Sequence, residues 1–377
     1  MEVVQAKNKN DYIPNPNRKK SSIQKAHIFG AEYFKLKYMK EAYLYKKLNS
    51  KKVQCRACAH YCVLAPGKRG ICGVRENIGG KLYALNYGKV IAVSVDPIEK
   101  KPFFHFLLGS HSLSIATVGC NFCCKNCQNW DISQGPKPDK PVRGENLSPE
   151  EVVQMALENN LPSISYTYVE PTIFLEYALD IMKLAKKAGL KNNFISNGFM
   201  SKESAKLIIP YLDANSIDIK GFSDEFYREN CGGRLKPVLE TAQLMKESGV
   251  WVEITTLAIP TLSDSEEMFK KISEFIYKEL GSETPWHISR FSGAISWKLQ
   301  NLPDTPIETL QKAWQIGEEA GLKYIYIGNV PDLSSEDTFC PQCGTLVIKR
   351  TNYIIRRHDI AGKCPKCGED LNLILNP

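Results

Sequence analysis

The most informative segment of this chain for its chemistry is Leu113-Ser-Ile-Ala-Thr-Val-Gly-Cys120-Asn-Phe-Cys-Cys124-Lys-Asn-Cys127. A strand-like run, Leu113–Val118, is followed directly by cysteines in the order C-x3-C-x2-C. Three thiolates on one short loop can hold three corners of a [4Fe–4S] cube, and the missing fourth ligand leaves one iron open to a small molecule. The loop therefore predicts an iron–sulfur site at Cys120, Cys124 and Cys127.

Cys123 allows a second interpretation of the same loop. The residues also divide into Cys120-x2-Cys123 beside Cys124-x2-Cys127, which is a possible tetrahedral zinc site. Four ligands within eight residues would be crowded, because structural zinc sites normally join two knuckles separated by a longer stretch. The strand before the loop favours the cluster, with Cys123 as a bystander.

Length and composition limit the function classes. With 377 residues, 43% hydrophobic and 24% charged, the chain can bury a full-sized core and one or two small modules. No apolar run approaches the ~18 residues that span a bilayer, and the amino terminus lacks the apolar block of a signal peptide. We therefore expect a cytoplasmic protein without a membrane segment. Its thirteen cysteines indicate metal ligands rather than a disulfide framework; twelve of them fall in three clusters, and only Cys231 stands alone.

The net charge of +8 is concentrated at the amino terminus, where residues 1–52 contain 13 Lys or Arg and 4 Asp or Glu. Residues 1–37 are predicted to form a basic extension, and Ala31–Leu48 has helical spacing. The basic arm suits a solvated extension, and an acidic or nucleic-acid partner is the alternative.

A second cysteine group precedes the loop, and its four members are Cys55, Cys58, Cys62 and Cys72. Four ligands complete a site without an open position, which suits structural zinc or an auxiliary electron-relay cluster. Spacing alone does not choose between these metals, and unliganded cysteines are a third interpretation. Pro66-Gly67 and Gly70 supply turns that bring the last cysteine back to the others.

A third group lies near the carboxyl terminus and consists of two Cys-x2-Cys-Gly knuckles, Cys340/Cys343 and Cys364/Cys367. Two knuckles at this separation predict a zinc ribbon. The intervening segments Leu346–Arg350 and Tyr353–Arg357 predict a short hairpin.

Between these groups, strand and helix signals alternate. Helical patterns such as Ile173–Lys187 and Thr309–Ala320 separate most of the strands, which implies βαβ units and a parallel sheet. In a barrel-like sheet the chemistry lies at the carboxyl ends of the strands. The predicted strands are Ser112–Val118, Ser163–Tyr168, Asn193–Ser196, Ser216–Lys220, Val250–Leu257, Trp286–Arg290 and Tyr324–Ile327.

The loop Gly119–Asn129 resembles the radical S-adenosylmethionine (SAM) superfamily, and in particular its pyruvate formate-lyase activating enzyme branch. Over about residues 38–370 the chain is similar to the radical SAM component of the AmmeMemoRadiSam system. It departs from that family in its basic arm and at Val169, where the family has Asn before Glu-Pro. The similar segments are Gly79–Gly88, Asp96–Pro102, Trp130–Gln134, Asn197-Gly198, Ile217–Lys220, His287–Phe291 and Tyr326–Asn329.

This resemblance implies an α/β fold, namely a partial (β/α)6 TIM-type radical SAM barrel. The barrel would occupy residues 111–335, between a four-cysteine module at 38–110 and a zinc ribbon at 336–377. It also implies SAM on the open iron and reductive cleavage of SAM to a 5′-deoxyadenosyl radical, which abstracts hydrogen from a substrate. The implied partners are a low-potential electron donor of the ferredoxin or flavodoxin type and proteins of the Memo and AMMECR types.

Polar residues at the predicted strand ends are the candidate contacts of SAM and substrate. Glu170 lies just past a strand, where its carboxylate would accept the SAM ammonium by charge-assisted hydrogen bonds. The alternative is a carboxylate at the start of the following helix. The other candidates are Asn197, Asp218, Lys220, His287 and Arg290.

Three hypotheses on function follow. The first is a radical SAM enzyme of the AmmeMemoRadiSam group, and the second is an activase that installs a glycyl radical on another enzyme. The third is a non-catalytic zinc-ribbon protein that binds nucleic acid. Iron content separates the third hypothesis from the others, and a glycyl radical enzyme in the same genome would favour the second.

Overall fold

A computed structural model describes residues 39–136, 140–330 and 334–375. The basic extension predicted at residues 1–37 therefore lies outside the described residues.

A central sheet of eight strands organises the chain. The strands are β1 (Ala92–Pro97), β2 (His111–Ala116), β3 (Ser163–Tyr166), β4 (Lys191–Ser196), β5 (Ala214–Asp218), β6 (Trp251–Ala258), β7 (Trp286–Arg290) and β8 (Ile325–Gly328). Their spatial order follows the chain order, with β1 and β8 at the two ends. The strands β2 to β8 are parallel, and β1 pairs antiparallel with β2.

Six helices connect the seven parallel strands. They are α1 (Pro149–Glu158), α2 (Leu175–Lys187), α3 (Lys202–Ile208), α4 (Leu235–Glu247), α5 (Glu266–Phe275) and α6 (Ile307–Glu319). Serine side chains accept hydrogen bonds from first-turn backbone N–H groups at the starts of α1, α3 and α5, as expected of N-caps. Every residue of β3 is buried, as expected for a parallel strand covered on both faces.

The predicted α/β class and mostly parallel sheet are confirmed. Each of the seven predicted strands overlaps a parallel strand of the sheet, and Trp286–Arg290 has the predicted bounds. The sheet has six strand–helix units followed by a seventh parallel strand, and its order is linear over the described residues. Closure into a partial barrel stays a prediction, as do the divisions at 110/111 and 335/336.

Short strands build the amino-terminal module. They are Lys40–Glu41, Tyr45–Lys47, Val53–Cys55, Val63–Leu64, Arg75–Ile78, Lys81–Ala84 and Lys89–Val90, the last of which pairs with Glu145–Asn146. The helix predicted over Ala31–Leu48 is wrong in its described part, where two of these strands lie. Tyr43 donates hydrogen bonds from its backbone N to Glu176 (3.1 Å) and from its hydroxyl to Asp180 (2.8 Å). These contacts with α2 override the helix propensity of the segment, as tertiary contacts often do.

The carboxyl-terminal module contains the predicted hairpin, which is formed by Leu346–Thr351 and Ile354–Arg357, with Thr338–Phe339 as a third strand. The module packs on the segment between β1 and β2. The backbone N of Ile374 donates to the carbonyl of His105 (2.7 Å), and Arg350 Nη2 donates to the carbonyl of Phe104 (2.8 Å). No helix of the described ranges is both long and apolar enough to cross a membrane.

Candidate functional site

The cysteine loop leaves the sheet at Gly119, and this position requires glycine. Its φ is +102°, in the region that side chains rarely adopt. A Cβ there would lie 2.7 Å from the carbonyl oxygen of Cys72 and 2.9 Å from Cγ1 of Val74. The start of the loop can therefore lie this close to the amino-terminal module only because residue 119 has no side chain.

The predicted cluster ligands differ in burial from Cys123. Cys124 is buried and Cys120 and Cys127 are half-buried, whereas Cys123 is exposed. The backbone N of Phe122 donates to Cys120 Sγ (3.4 Å), and the Ser133 hydroxyl lies 3.5 Å from Cys127 Sγ. Hydrogen bonds to sulfur are among the contacts by which proteins tune iron–sulfur clusters.

Electrostatics disfavour free thiolates in this loop. Burial raises the pKa of the Cys120 thiol well above its ordinary value, and the neighbouring Cys124 adds to the increase. A bound metal ion reverses this preference, because a coordinating thiol is deprotonated. When free, the three cysteines would therefore be neutral thiols, and they would become thiolates on binding a metal cluster.

Cys231, which the sequence left outside every cysteine group, lies against the loop. Its hydrogen bond with Cys124 raises the pKa of the Cys124 thiol, and burial adds to the shift. The backbone N of Cys123 donates to the Cys231 carbonyl (2.9 Å). No sequence spacing signals this contact, because 107 residues separate the two hydrogen-bonded thiols.

Glu170 lies at the start of the short helix Pro171–Phe174, with its carboxylate fully engaged. It accepts hydrogen bonds from the backbone N atoms of Thr172 (3.0 Å) and Asn197 (2.8 Å) and from the hydroxyls of Thr172 (2.5 Å) and Ser196 (3.0 and 3.1 Å). Burial raises its pKa, and these donors oppose the increase. The contacts agree with the helix-start interpretation, and the SAM contact of Glu170 stays a prediction.

Asn197 continues this network into the cysteine loop. Its Nδ2 donates to Oδ1 of Asn121 (2.8 Å), the residue after Cys120. Its own Oδ1 accepts from the backbone N of Phe199 (2.9 Å). Glu170 and Asn197 thus hold the cysteine loop against the ends of β3 and β4.

Asp218 and Lys220 lie together at the end of β5. Lys220 Nζ is 2.7 Å from Asp218 Oδ2, and both side chains are partly buried. Burial lowers the pKa of Lys220, but Asp218, Cys124 and Cys231 outweigh it and raise the pKa. The ammonium group is therefore held charged close to Cys124, a predicted cluster ligand.

His287 and Arg290 do not share a position, although the sequence analysis placed both at a strand end. Arg290 ends β7, where its Nε donates to the carbonyl of Thr305 (2.9 Å). His287 is the second residue of β7, is buried, and has its Nε2 2.7 Å from Oε2 of Glu253. Side chains three residues apart in a strand point to opposite faces, which separates the two.

The four amino-terminal cysteines line one cavity, together with Arg75 and with Asn121 of the loop. Burial raises the pKa of the Cys72 thiol to about 11, with Arg75 opposing the shift. The Arg75 guanidinium is buried and donates to both carboxylate oxygens of Glu176, at 2.9 and 2.7 Å.

The four carboxyl-terminal cysteines are more tightly clustered. Sγ of Cys340 lies 3.5 Å from that of Cys367, Sγ of Cys343 lies 3.6 Å from that of Cys364, and all four lie within 4.8 Å of one another. Thiolates on one tetrahedral zinc ion stand about 3.8 Å apart, because zinc–sulfur bonds are about 2.3 Å long. The group therefore has the size of a single-ion site, as the predicted ribbon requires, while zinc itself stays a prediction.

Comparison with known proteins finds a family match that includes the cysteine loop. The radical SAM superfamily matches residues 114–276. The uncharacterized protein MJ0808 of Methanocaldococcus jannaschii is 46% identical over 340 residues, which cover 89% of this chain and 100% of that protein. The pyruvate formate-lyase 1-activating enzyme of Escherichia coli (strain K12) is 23% identical over 223 residues, which cover 55% of this chain and 89% of the enzyme.

A solved domain of pyruvate-formate lyase-activating enzyme from Bacteroides vulgatus is 18% identical, with a TM-score of 0.39. The alignment covers 44% of this chain and 98% of that domain.

Proposed function

We propose that this chain, whose residues 114–276 match the radical SAM superfamily, is a radical SAM enzyme that reductively cleaves SAM at a [4Fe–4S] cluster and abstracts hydrogen from a substrate. The observation that carries the proposal is the loop after β2, in which Cys120, Cys124 and Cys127 are at least half-buried and Cys123 is exposed. When bound, the cluster and SAM supply a 5′-deoxyadenosyl radical to the site.

The chain's own residues would position this chemistry. Cys120, Cys124 and Cys127 would hold the cluster, and Glu170 and Asn197 fix the loop that carries these cysteines. Asp218, Lys220 and Arg290 end their strands or directly follow them, at the same edge of the sheet as the loop. They are the proposed contacts of SAM and substrate, whereas His287 is engaged with Glu253.

Replacement of single cysteines tests the proposal. After anaerobic reconstitution and reduction with dithionite, we expect the wild type to form 5′-deoxyadenosine from SAM. Cys124→Ala should lose this activity and the loop's iron, and the matched control Cys123→Ala should retain both. Equal iron loss in the two variants would show that the ligand set is wrong.

Glu170→Gln separates the two interpretations of that residue. Hydrogen bonds to a charged group are worth about 1.5–3 kcal/mol, so the variant should lose stability of that order in urea unfolding. A weaker affinity for SAM with unchanged stability would instead assign the carboxylate to the SAM ammonium.

The AmmeMemoRadiSam group is our preferred placement, because the sequence resemblance includes both outer cysteine groups. Within that group we propose proteins of the Memo and AMMECR types as partners and a ferredoxin- or flavodoxin-type protein as reductant. We also propose a cytoplasmic location, where thiols that serve as metal ligands are kept reduced. Stable association of the full chain with those two protein types from the same genome tests the placement, and its absence would count against it.

A glycyl radical activase is the second candidate, favoured by the match to the pyruvate formate-lyase 1-activating enzyme. An electron paramagnetic resonance (EPR) signal of a glycyl radical on a partner enzyme, formed only with this protein and SAM, would establish it.

A further inference from the structure

We infer that Cys55, Cys58, Cys62 and Cys72 hold an iron–sulfur cluster that passes electrons to the site in the cysteine loop. The relay role rests on the proposed function, whereas the metal assignment does not. The four thiols and their surroundings support the assignment in four ways.

The spacing of the four amino-terminal sulfur atoms favours a cluster over a single ion. Among the described residues, only the carboxyl-terminal cysteines form a group whose ligand atoms all lie within 4.8 Å of one another. The amino-terminal four share a cavity without meeting that limit. Each thiolate of a [4Fe–4S] cluster binds a different iron, so its four thiolates stand farther apart than four thiolates on one ion.

The amino-terminal cysteines also lie next to the cysteine loop. The carbonyl oxygen of Cys72 lies 2.7 Å from the position that a Cβ of Gly119 would take, and Asn121 lines the cavity of the four cysteines. His60, from the same cysteine segment, has its Nε2 2.8 Å from the carbonyl oxygen of Asn121. Both residues on either side of Cys120 therefore contact the amino-terminal module, and a cluster there would adjoin the loop site directly.

The Nε atom of Arg75 is a hydrogen-bond donor that a cluster in this cavity would use. Arg75 is 2% exposed and lines the same cavity, and its Nε has no hydrogen-bond partner in the part of the chain that the structure describes. Buried polar groups are nearly always hydrogen-bonded. The sulfurs of a cluster would accept this hydrogen bond, and such bonds help to set cluster potentials.

The exposed surface beside the amino-terminal cysteines supports the relay role. Val63 and Ile71 directly follow and precede two of the cysteines and are 57% and 64% exposed. Residues 39–90 contain eleven Lys or Arg and two Glu. These exposed apolar side chains lie in a module of net positive charge, which fits an acidic one-electron donor protein because opposite charges steer such partners together.

The electron balance of the relay is simple. The reduced donor is an iron–sulfur or flavin protein of low potential. It passes one electron to the amino-terminal cluster, which is thereby reduced by one electron. The same electron then passes to the loop site, which returns the amino-terminal cluster to its oxidised state. No bond is made or broken in the relay.

Metal analysis of two full-length variants tests the assignment after anaerobic reconstitution. We expect about eight irons per chain in the wild type and about four in the triple variant Cys120→Ala/Cys124→Ala/Cys127→Ala, which keeps the amino-terminal site intact. A triple variant that lacks iron and holds zinc at the amino-terminal site would overturn the inference.

The complementary variant Cys58→Ser/Cys72→Ser distinguishes this inference from the proposed function. It should keep about four irons in the loop. If it held no iron while the triple variant kept its full share, the inferred site would stand and the proposed function would fail.

EPR of the reduced variants gives a readout that does not depend on turnover. Addition of SAM should leave the signal of the triple variant unchanged, because every iron of that cluster already has a thiolate. A SAM-induced change in the triple variant would contradict the four-thiolate ligation.

Electron delivery tests the relay. In Cys58→Ser/Cys72→Ser, formation of 5′-deoxyadenosine should be lost with a protein donor and retained with dithionite, which reduces the loop site directly. Unchanged activity with the protein donor would overturn the relay role.

Discussion

The two four-cysteine groups have the same ligands but different geometries. The carboxyl-terminal thiols lie close enough to share one ion, whereas the amino-terminal thiols line a cavity beside a buried arginine and the cysteine loop. The cysteine spacing predicts four ligands in each group, but it does not identify the metal of the amino-terminal group. The distance between the sulfurs and what surrounds them are therefore the observations from which we assign a single ion to one group and a cluster to the other.

The largest expected effect is local and concerns the carboxyl-terminal group. Cys343→Ser should remove about one zinc per chain and unfold the hairpin around it, because a structural zinc site contributes folding free energy directly. The loop iron should remain, as measured by metal analysis. Loss of iron together with zinc would remove the distinction between the groups.

A point substitution is a better test here than deletion of the whole module. Arg350 and Ile374 pack on Phe104 and His105, so deletion would uncover the buried segment between β1 and β2.

Arg75→Met tests the surroundings of the amino-terminal group. The substitution leaves Glu176 buried without its partner, and breaking a buried ion pair typically costs about 3–5 kcal/mol. Urea unfolding should show a loss of this order. The matched control Lys271→Met removes an exposed pair with Glu267 and should leave the midpoint unchanged. Equal effects would mean that Arg75 has no special role.

Gly119→Ala tests the contact between the amino-terminal group and the cysteine loop. Its Cβ would meet Cys72, and backbone strain of this kind costs about 1–3 kcal/mol. The control Gly189→Ala also has a positive φ, of +80°, but no atom within 4 Å of its Cβ. Iron content should fall in the first variant and not in the second. Full iron in both would show that the close approach does not matter.

The expected effect that is smallest at neutral pH is a pH dependence beneath the carboxyl-terminal module. Burial lowers the pKa of His105 to about 4, and its two ring nitrogens lie 3.1 Å from the Leu371 carbonyl and 2.7 Å from the Tyr326 hydroxyl. The unfolded chain, with an ordinary pKa of about 6.5, binds the proton first. Stability should therefore fall as pH falls from about 6.5 to 4.

His105→Asn should flatten this part of the profile, as followed by unfolding at each pH. An unchanged slope would assign the effect to another group.

The sequence predicted most of the scaffold, because the signals are local. Strand runs bounded by helical periodicity located all seven parallel strands, and the cysteine spacing singled out the loop after β2. The segment Lys40–Lys47 was predicted wrongly because its partners, Ala84, Glu176 and Asp180, are distant in sequence.

The site was only partly predictable for the same reason. The contact of Cys231 with Cys124 depends on where the helical residues 224–231, which follow β5, place Cys231. His287 was placed with Arg290 although a spacing of three residues separates the faces of a strand. The proximity of Cys72 to Gly119 is a tertiary contact without a spacing signal.

The most direct test of the central claim is the EPR signal of the reduced loop cluster before and after addition of SAM. It is best measured in the Cys58→Ser/Cys72→Ser background, with the further substitution Cys123→Ala or Cys124→Ala. A signal that SAM alters in the background and in the Cys123→Ala variant, and that is absent from the Cys124→Ala variant, is the predicted result. A signal that SAM leaves unchanged, or that survives Cys124→Ala, would contradict the assignment of an open iron held by Cys120, Cys124 and Cys127.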